Sequence, residues 1–292
     1  MSQHAGIASA RAQADNRIRV TGLRHQYRTG DGRQVLALAD VSFEVAENEV
    51  VTVVGPSGCG KSTLIHIIAG LVRPGAGQVY VGEQPVRGPG SDRGVVFQEL
   101  AILPWRTVRR NIGHGLEIAR MPRAERDRIV DRYIDFVGLR GFEDRYPHEL
   151  SGGMKQRVAV ARTLAADPKV ILMDEPFAAV DAQTRITLQE ELLRISVVMK
   201  KTILFVTHSV DEAVFLGDRV MIFTRRPGRV KETVTVPLPR EGRSWDAVNR
   251  DRRFLDVRDH VLQSVRAEVV DPNAGPASDA ARDRGETGHE PA

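Results

Sequence analysis

The sequence has very little of what marks a secreted, disulfide-bonded or membrane-spanning protein. Its 292 residues include one cysteine, Cys59, so no disulfide can form within the chain, and its position suits a reducing compartment. The N-terminal segment 1–17 has no apolar core, so we predict no signal peptide. No stretch approaches the roughly 20 apolar residues that a membrane-spanning helix needs. We therefore expect a cytoplasmic chain, unless another protein holds it at a membrane.

The chain also has almost no excess of positive over negative charge. The 42 Lys and Arg residues against 38 Asp and Glu give a net charge of +4, which is too small to indicate nucleic acid as a partner. Apolar residues make up 41% of the chain, enough for a sizeable core, and the length suits one large or two modest domains.

Short apolar runs alternate with helical patterns after residue 50. Four of these runs suit buried parallel strands: Val50–Val54, Val170–Met173, Thr202–Val206 and Val220–Phe223. Strands are also expected within 18–45 and 77–97, and the segment 107–165 is helical in character. Buried strands that alternate with helices predict a mostly parallel α/β sheet.

One segment matches the phosphate-binding loop pattern G-x-x-x-x-G-K-[ST]: Gly55-Pro56-Ser57-Gly58-Cys59-Gly60-Lys61-Ser62. A predicted buried strand precedes it and a predicted helix follows, which argues against a chance glycine-rich turn. Its glycines allow backbone N–H groups to point at phosphate oxygens, and the helix N-terminus adds positive potential. Lys61 would then reach the β- and γ-phosphates, and Ser62 would hold Mg²⁺. Because Cys59 lies inside the loop, a bulky thiol reagent is expected to block nucleotide binding.

Two carboxylates follow the predicted strand Val170–Met173, at the carboxyl end where ligands bind in such sheets. Asp174 suits Mg²⁺ coordination, directly or through water, and Glu175 can polarise an attacking water as a general base. The alternative is a strand that ends in solvated acids, and the phosphate loop weighs against it. Together the two motifs predict a P-loop NTPase without deciding its type.

The type is indicated by the segment Leu150-Ser151-Gly152-Gly153-Met154-Lys155-Gln156-Arg157. A serine and two glycines at a helix N-terminus would expose N–H groups and form a second anion site. An ordinary capped helix needs no paired glycines, because glycine weakens a first turn, so the pair suggests close approach by something bulky. The segment closely resembles the signature of the ATP-binding cassette (ABC) family, usually Leu-Ser-Gly-Gly-Gln. The resemblance covers nearly all of Ile18 to Val236.

The resemblance implies further site residues where the chain matches the family's motifs. Tyr27 matches the aromatic residue that stacks on adenine, and Gln98 matches the glutamine that touches Mg²⁺ and the water. The segment Ala179-Val180-Asp181 matches the loop that crosses the dimer interface, and His208 matches the histidine that contacts the γ-phosphate. Any one of these residues alone is more often structural. The candidate residues are Glu175, His208 and Gln98 for catalysis, then Tyr27, Gly55, Pro56, Ser57, Gly58, Cys59, Gly60, Lys61, Ser62, Thr63, Ser151, Gly152, Gly153, Met154 and Asp181 for ATP, and Ser62, Gln98 and Asp174 for Mg²⁺.

The resemblance also implies the architecture: a P-loop NTPase of the ABC ATPase fold, with a RecA-like, mostly parallel sheet core, an antiparallel β-subdomain and an inserted α-helical subdomain. The ABC ATPase domain is expected over 17–240, with its helical subdomain at about 100–166. A short helical extension is expected over 241–270, and disordered tails over 1–16 and 271–292. In the family two copies face each other, so that each ATP lies between the phosphate loop of one and the signature of the other.

The branch of the family is indicated by four segments that together look like those of the nitrate, sulfonate and taurine importers. They are Leu103-Pro104-Trp105-Arg106-Thr107-Val108 after Gln98, Met154-Lys155-Gln156-Arg157, Asp181-Ala182-Gln183-Thr184-Arg185, and Phe205-Val206-Thr207-His208-Ser209-Val210-Asp211-Glu212-Ala213. Subunits of this branch work with a transmembrane permease and, through it, a periplasmic or lipoprotein substrate-binding protein, so we expect a peripheral position on the cytoplasmic face of the inner membrane. The cargo would be a small anion or organosulfur compound. In the family the segment after Gln98 lines the groove that receives a permease helix. Packing within the subunit is an equal alternative for its apolar members, which are Ala101, Ile102, Leu103 and Trp105.

Three other functions remain as alternatives. One is an ATPase for an exporter or a lipid-trafficking system, which the branch motifs disfavour. Another is a cassette protein of translation or DNA repair, but those usually carry two cassettes or long insertions. The third is an inactive scaffold, which the presence of Lys61, Asp174, Glu175 and His208 makes a poor fit.

Overall fold

The computed structural model of the chain describes residues 15–30, 32–178 and 180–269. The strands in these ranges are β1 (Ile18–Arg28), β2 (Gln34–Val45), β3 (Val50–Val54), β4 (Ala76–Val81), β5 (Gln84–Pro85), β6 (Arg93–Val96), β7 (Val170–Asp174), β8 (Thr202–Val206), β9 (Arg219–Phe223) and β10 (Val230–Thr235). The helices are α1 (Lys61–Ile68), α2 (Val108–Ile112), α3 (His114–Ile118), α4 (Arg123–Phe136), α5 (Gly152–Ala165), α6 (Ala182–Met199), α7 (Val210–Leu216), α8 (Trp245–Val248) and α9 (Arg252–Val269). A short 3-10 helix, Pro147–Glu149, precedes α5. The predicted tails lie outside the described residues, except for residues 15 and 16.

The strands form two sheets, and α1 packs against strands of both. The smaller sheet has the order β2-β1-β4-β5 and is antiparallel. The larger sheet has the order β10-β9-β3-β8-β7-β6, and it is parallel from β9 to β6, with β10 antiparallel at one edge. The predicted mostly parallel α/β sheet is confirmed.

Both faces of the larger sheet are covered by apolar side chains, which explains its continuous apolar strands. Along β7, Ile171 and Met173 belong to one core cluster and Leu172 to another, because successive side chains point to opposite faces. The cluster that contains Leu172 includes residues of α1 and of the smaller sheet. The other cluster includes residues of the helices that follow β6 and β7.

The helices α2 to α5 are inserted between β6 and β7 and pack on one another. Helix α4 ends before Gly138, which has φ of 63°, as the glycine at that position predicts. The predicted helical segment 107–165 is interrupted between α4 and α5, where only the 3-10 helix Pro147–Glu149 forms. Positive φ angles at Gly138 and Gly141 and the proline at 147 account for the interruption.

Two elements near the C-terminus complete the fold. Strand β10 was not among the strands predicted from apolar runs, because its residues alternate between half-buried and exposed positions. The sequence from Trp245 to Val269 predicts one or two amphipathic helices, and the structure has two, α8 and α9. Helix α9 buries Phe254 and Val261 and packs against α7 and β9. None of the helices in the described ranges combines the length and apolarity that crossing a bilayer requires.

Candidate active site

Four parallel strands end at one edge of the larger sheet, and each leads to a predicted site residue. Strand β3 runs into the phosphate loop, β6 into Gln98, and β8 into His208, while β7 ends with Asp174. In the sheet, β8 lies between β3 and β7. Because parallel strands present their carboxyl ends together, residues from four distant segments meet at this edge.

The phosphate loop, residues 55–62, has a backbone conformation that requires glycine where it enters α1. Gly60 has φ of 107°, and a Cβ atom there would lie 2.7 Å from Leu38 Cδ2 and 2.9 Å from the carbonyl oxygen of Ala37. Any larger residue would therefore force the loop away from β2. The loop and the antiparallel sheet are thus packed as one unit.

Lys61 lies across the loop and is only 6% exposed. Its Nζ donates to the carbonyl oxygens of Gly55, at 2.8 Å, and Pro56, at 3.0 Å. Both acceptors are neutral, so the positive charge of Lys61 is not cancelled by them. The ammonium is therefore available to the oxygens of a bound phosphate.

Cys59 contributes its backbone to the loop, while its side chain points into the protein. The thiol is buried in the apolar core beneath the loop, and burial raises the pKa of Cys59. A buried thiol that is not ionised is a poor nucleophile. The burial of the thiol argues against the expectation that a bulky thiol reagent blocks nucleotide binding.

Asp174 and Ser62 form a hydroxyl–carboxylate pair that fits a magnesium ion. The Oγ atom of Ser62 donates to Oδ1 of Asp174 at 3.2 Å. Asp174 is buried, and its burial raises the pKa of the carboxyl group. Across the described part of the chain, no three His, Cys, Asp or Glu side chains form a metal-binding group. Mg²⁺ that arrives with a nucleotide needs only one or two protein oxygens, because phosphate and water complete its shell.

Glu175 and His208 are in direct contact. The Oε2 atom of Glu175 lies 3.1 Å from Nδ1 of His208, and an imidazole protonated on Nδ1 donates to this carboxylate. Glu175 has φ of 45°, which non-glycine residues seldom adopt, and its N–H donates to the carbonyl oxygen of Val206 at 2.9 Å. Backbone strain of this kind persists where neighbouring structure holds it, and it clusters at functional sites.

An open cavity of about 590 Å³ lies over the phosphate loop. Its wall includes Lys61, Gln98 and Glu175, which come from three different segments. Tyr27 of β1 also lines the cavity, half-exposed, and its hydroxyl donates to Oγ1 of Thr63 at 3.2 Å. The volume is in the range of small-molecule and cofactor sites. Two of the predicted catalytic residues, Gln98 and Glu175, therefore line one ligand-sized space together with phosphate-loop residues, whereas His208 lies outside its wall and contacts Glu175.

Arg226 is a residue of this cavity that the sequence analysis missed. It follows β9, and its Nε donates to the carbonyl oxygen of Gly58 at 3.1 Å. No ion pair is found for it within the described residues, so its charge adds to that of Lys61 at the phosphate loop. The only signal in the sequence is a local cluster of arginines around Pro227, which matches none of the motifs considered.

The signature segment lies at the start of α5 and does not line this cavity. Ser151 caps the helix, with its Oγ accepting from the N–H of Met154 at 3.3 Å, and Gly152 is exposed. A Cβ atom on Gly153 would lie 2.7 Å from Cγ2 of Thr184, so one glycine of the pair is required by packing within the chain. The close approach inferred from that glycine is therefore explained by α6.

Asp181 is the N-terminal cap of α6, where its Oδ1 accepts from the N–H of Thr184 at 3.0 Å. This backbone hydrogen bond lowers the pKa of Asp181. The neighbouring Ala179 lies outside the described residues. The segment thus has a local capping role in addition to the interface role that the resemblance implies.

Comparison with known proteins decides the family. An uncharacterised ABC transporter ATP-binding protein of Methanocaldococcus jannaschii is 55% identical over 239 residues, which cover 81% of this chain and 90% of that protein. The chain belongs to the ABC transporter family. The family described as ABC transporter matches residues 38–178. The resemblance predicted from the sequence motifs is confirmed.

Other relatives of this ABC protein have more specific names. The taurine import ATP-binding protein TauB of Pseudomonas putida is 43% identical, with 80% of this chain and 90% of that protein covered. The nitrate import ATP-binding protein NrtD of Synechocystis is 41% identical, with 89% and 99% covered. Among solved structures, a dimeric ATP-binding cassette in a post-hydrolysis state, bound to ADP and Pi, matches with a TM-score of 0.67 at 30% identity. That match covers 75% of this chain and 98% of the cassette, and it confirms the ABC ATPase fold.

Proposed function

We propose that this chain is the ATP-binding and ATP-hydrolysing subunit of an ABC importer, and that Glu175 and His208 act together on the γ-phosphate end of ATP. The observation that carries the proposal is the 3.1 Å contact between His208 and Glu175, which lines the phosphate-loop cavity. The family and the importer names of TauB and NrtD support the same function.

In this proposal the phosphate loop binds ATP through its backbone N–H groups and Lys61. On binding, Nζ of Lys61 exchanges the carbonyl oxygens of Gly55 and Pro56 for phosphate oxygens, which are stronger acceptors because they are charged. Tyr27, on the β1 side of the same cavity, is proposed to stack on adenine. Ser62 and Asp174 would hold Mg²⁺, with Gln98, which lines the same cavity as Ser62, as a further candidate, and the metal would neutralise charge on the phosphates.

Glu175 is the proposed general base for the attacking water. Its carboxylate is held by the contact with His208, and its backbone is held by the hydrogen bond to Val206, so little reorganisation is needed when the proton is taken. His208, whose side chain is largely exposed, is proposed to contact the γ-phosphate. The two side chains therefore link proton abstraction to the presence of the terminal phosphate.

A second copy of the chain is proposed to complete each site. Within one chain, Ser151 and Gly152 are exposed at the start of α5 and stand apart from the cavity wall, so their N–H groups are free to meet a phosphate bound to a partner. The dimeric cassette among the similar structures supports this arrangement. ATP would favour the closed dimer because it contacts the phosphate loop of one copy and the signature segment of the other. Hydrolysis would remove that preference.

The permease is proposed to dock on the segment that follows Gln98. Trp105 is 71% exposed and Ala101 is exposed, while Leu103 is partly buried and Ile102 is partly buried against the apolar core. The buried side chain of Asn111 bonds to the backbone of this segment and holds its shape. An exposed tryptophan on a rigid loop suits an anchor for an apolar partner helix.

The transport proposal extends to partners that the chain itself does not contain. The permease would place this subunit on the cytoplasmic face of the inner membrane, and a periplasmic or lipoprotein substrate-binding protein would deliver the cargo. Because TauB and NrtD are named for taurine and nitrate import, a small anion or organosulfur compound is the proposed cargo.

The decisive variant is Glu175→Gln, which removes the base and keeps the shape of the side chain. We expect ATP hydrolysis to fall by about a hundredfold or more, while ATP affinity is retained and a nucleotide-bound dimer accumulates. The matched control is Glu83→Gln, an exposed acid on the turn between β4 and β5. Turnover by Glu175→Gln near the wild-type rate would exclude Glu175 as the base.

A further inference from the structure

A chain of buried polar side chains runs from the C-terminal extension to the residue before His208. Its members are Gln189 of α6, Glu212 of α7 and Thr207, which are 2%, 5% and 1% exposed. Trp245 of α8 forms the outer end. Buried polar side chains need hydrogen-bond partners, and here the hydrogen bonds connect three helices to the loop after β8.

The side-chain hydrogen bonds run without a break from Trp245 to Thr207. Nε1 of Trp245 donates to Oε1 of Gln189 at 2.9 Å, and Nε2 of Gln189 donates to Oε1 of Glu212 at 2.7 Å. The hydroxyl of Thr207 donates to Oε2 of Glu212. Each oxygen of the Glu212 carboxylate therefore has one donor, and each donor comes from a different element.

Glu212 forms no ion pair with a lysine or arginine within the described residues, although it is buried. Burial raises the pKa of Glu212, and the bonds from Thr207 and Gln189 act in the opposite direction. A carboxylate in this position destabilises the fold unless its hydrogen bonds are intact, so the geometry of Thr207 and Gln189 is tightly determined.

Thr207 also holds the backbone on both sides of His208. Its Oγ1 also accepts from the N–H of Ser209 at 3.0 Å, and its own N–H donates to the carbonyl oxygen of Val53 at 3.1 Å. The residues on both sides of His208 are therefore held by one hydroxyl that is bonded to Glu212. The imidazole of His208 is left free to turn toward Glu175, but its backbone is not free to move.

Trp245, at the outer end of this series of hydrogen bonds, is also held firmly by its neighbours. The indole of Trp245 stacks on Phe215 with ring centroids 4.3 Å apart and contacts Phe254 of α9 edge-on. Arg243, which is buried, donates to the carbonyl oxygens of Phe215, at 2.6 Å, and Gly217, at 3.1 Å, at the end of α7. The segment from Arg243 to Trp245 thus holds the C-terminal end of α7, the helix that begins beside His208.

We propose that Trp245, Gln189, Glu212 and Thr207 are positioning residues for His208, so that ATP hydrolysis depends on a C-terminal extension that never touches ATP. The proposal rests on the function proposed above for Glu175 and His208. The phosphate loop, residues 55–62, is not bonded to any of these four side chains, so loss of their hydrogen bonds should slow hydrolysis without weakening ATP binding.

The test uses Thr207→Val, which keeps the shape and removes the hydroxyl, and Thr207→Ser, which restores it. For the full-length chain we expect kcat for ATP hydrolysis to fall by about tenfold in Thr207→Val, with ATP affinity within about twofold of wild type. Thr207→Ser should recover most of that loss. The control is Thr187→Val on the exposed face of α6, where the hydroxyl bonds only to its own helix.

The second variant, Trp245→Phe, retains the aromatic stack on Phe215 but removes the indole N–H. We expect kcat to fall less, by about three- to fivefold, with ATP affinity again retained, because two residues, Gln189 and Glu212, lie between Trp245 and Thr207 in this series of hydrogen bonds.

Unchanged kcat in both Thr207→Val and Trp245→Phe would overturn the proposal. A parallel loss of kcat and ATP affinity, or failure of Thr207→Ser to recover activity, would also overturn it, since either would indicate general damage to the fold. If Glu175→Gln abolishes hydrolysis in the same assay while the Thr207 variants do not affect it, the proposed function stands and only the positioning role fails.

Discussion

Nδ1 of His208 lies 3.1 Å from Oε2 of Glu175, and the two residues are 33 positions apart in the chain. They meet because β7 and β8 are parallel neighbours in the larger sheet, with Asp174 opposite Val206, so that the residues just beyond these strands come together. The contact makes Glu175 and His208 a pair whose separate removal can be compared.

Removal of the imidazole should slow hydrolysis and leave binding intact. In His208→Ala, Glu175 loses its side-chain partner and the γ-phosphate loses a contact, so we expect the rate of ATP hydrolysis to fall by about tenfold or more. Equilibrium binding of ATP should change by less than about threefold, because Lys61 and the loop backbone remain. His260→Ala, on the exposed face of α9, is the matched control. Equal losses of rate and affinity in His208→Ala would contradict this role.

Arg226 should strengthen ATP binding through its charge. Its guanidinium lies at the phosphate-loop cavity, bonded to the carbonyl oxygen of Gly58. We expect Arg226→Ala to weaken ATP binding by roughly three- to tenfold at low salt, and by less at high salt, because screening reduces the attraction for phosphate. Arg229→Ala removes an exposed charge from the same turn and serves as the control. Identical ATP affinities in the two variants would contradict a role for Arg226 in ATP binding.

Cys59 should resist modification in the folded chain. Because the thiol is buried and its pKa is raised by burial, a bulky aromatic disulfide reagent should label it slowly in buffer and completely in denaturant. The labelling rate is followed by the released thiolate. Cys59→Ala should retain ATP affinity within about twofold, since only the backbone of residue 59 faces the phosphate. Rapid labelling of the native chain with ATP protection would contradict the buried placement.

Asp174 should lower the stability of the ligand-free chain at neutral pH. Burial raises its pKa in the folded state above the value in the unfolded chain, so the folded state binds the proton more tightly. Stability is therefore highest where Asp174 is protonated, and falls as the pH rises from the unfolded pKa to the folded pKa.

Asp174→Asn mimics the protonated form, so it should raise the melting temperature without nucleotide at pH 7 by a few degrees, and by less as the pH falls below the ordinary range of aspartate. Mg²⁺ with ATP should stabilise the wild-type chain and have a smaller effect on the variant. Glu83→Gln, which is exposed, is the control for a lost carboxylate. A lower melting temperature for Asp174→Asn at pH 7 would contradict the prediction, because it would mean that the ionised carboxylate stabilises the fold.

Much of the fold could be predicted from local pattern. The strands β3, β7, β8 and β9 appear as continuous apolar runs because helices or the second sheet cover both faces, and α4 ends at a glycine that adopts positive φ. Strand β10 was missed because it lies at an edge, where half of its residues face solvent and no apolar run results. The burial of Cys59 was also missed, because loop membership in sequence does not tell which way a side chain points.

By itself the sequence determined the phosphate loop, the signature and the family, because each is a contiguous motif whose chemistry lies in backbone N–H groups and adjacent side chains. Only the tertiary structure decided which side chains support them. Arg226 reaches Gly58 from 168 positions away, and Trp245 reaches Gln189 from 56 positions away. Such contacts depend on the order of strands in the sheet and on how helices pack over it, and neither is encoded in any local pattern of residues.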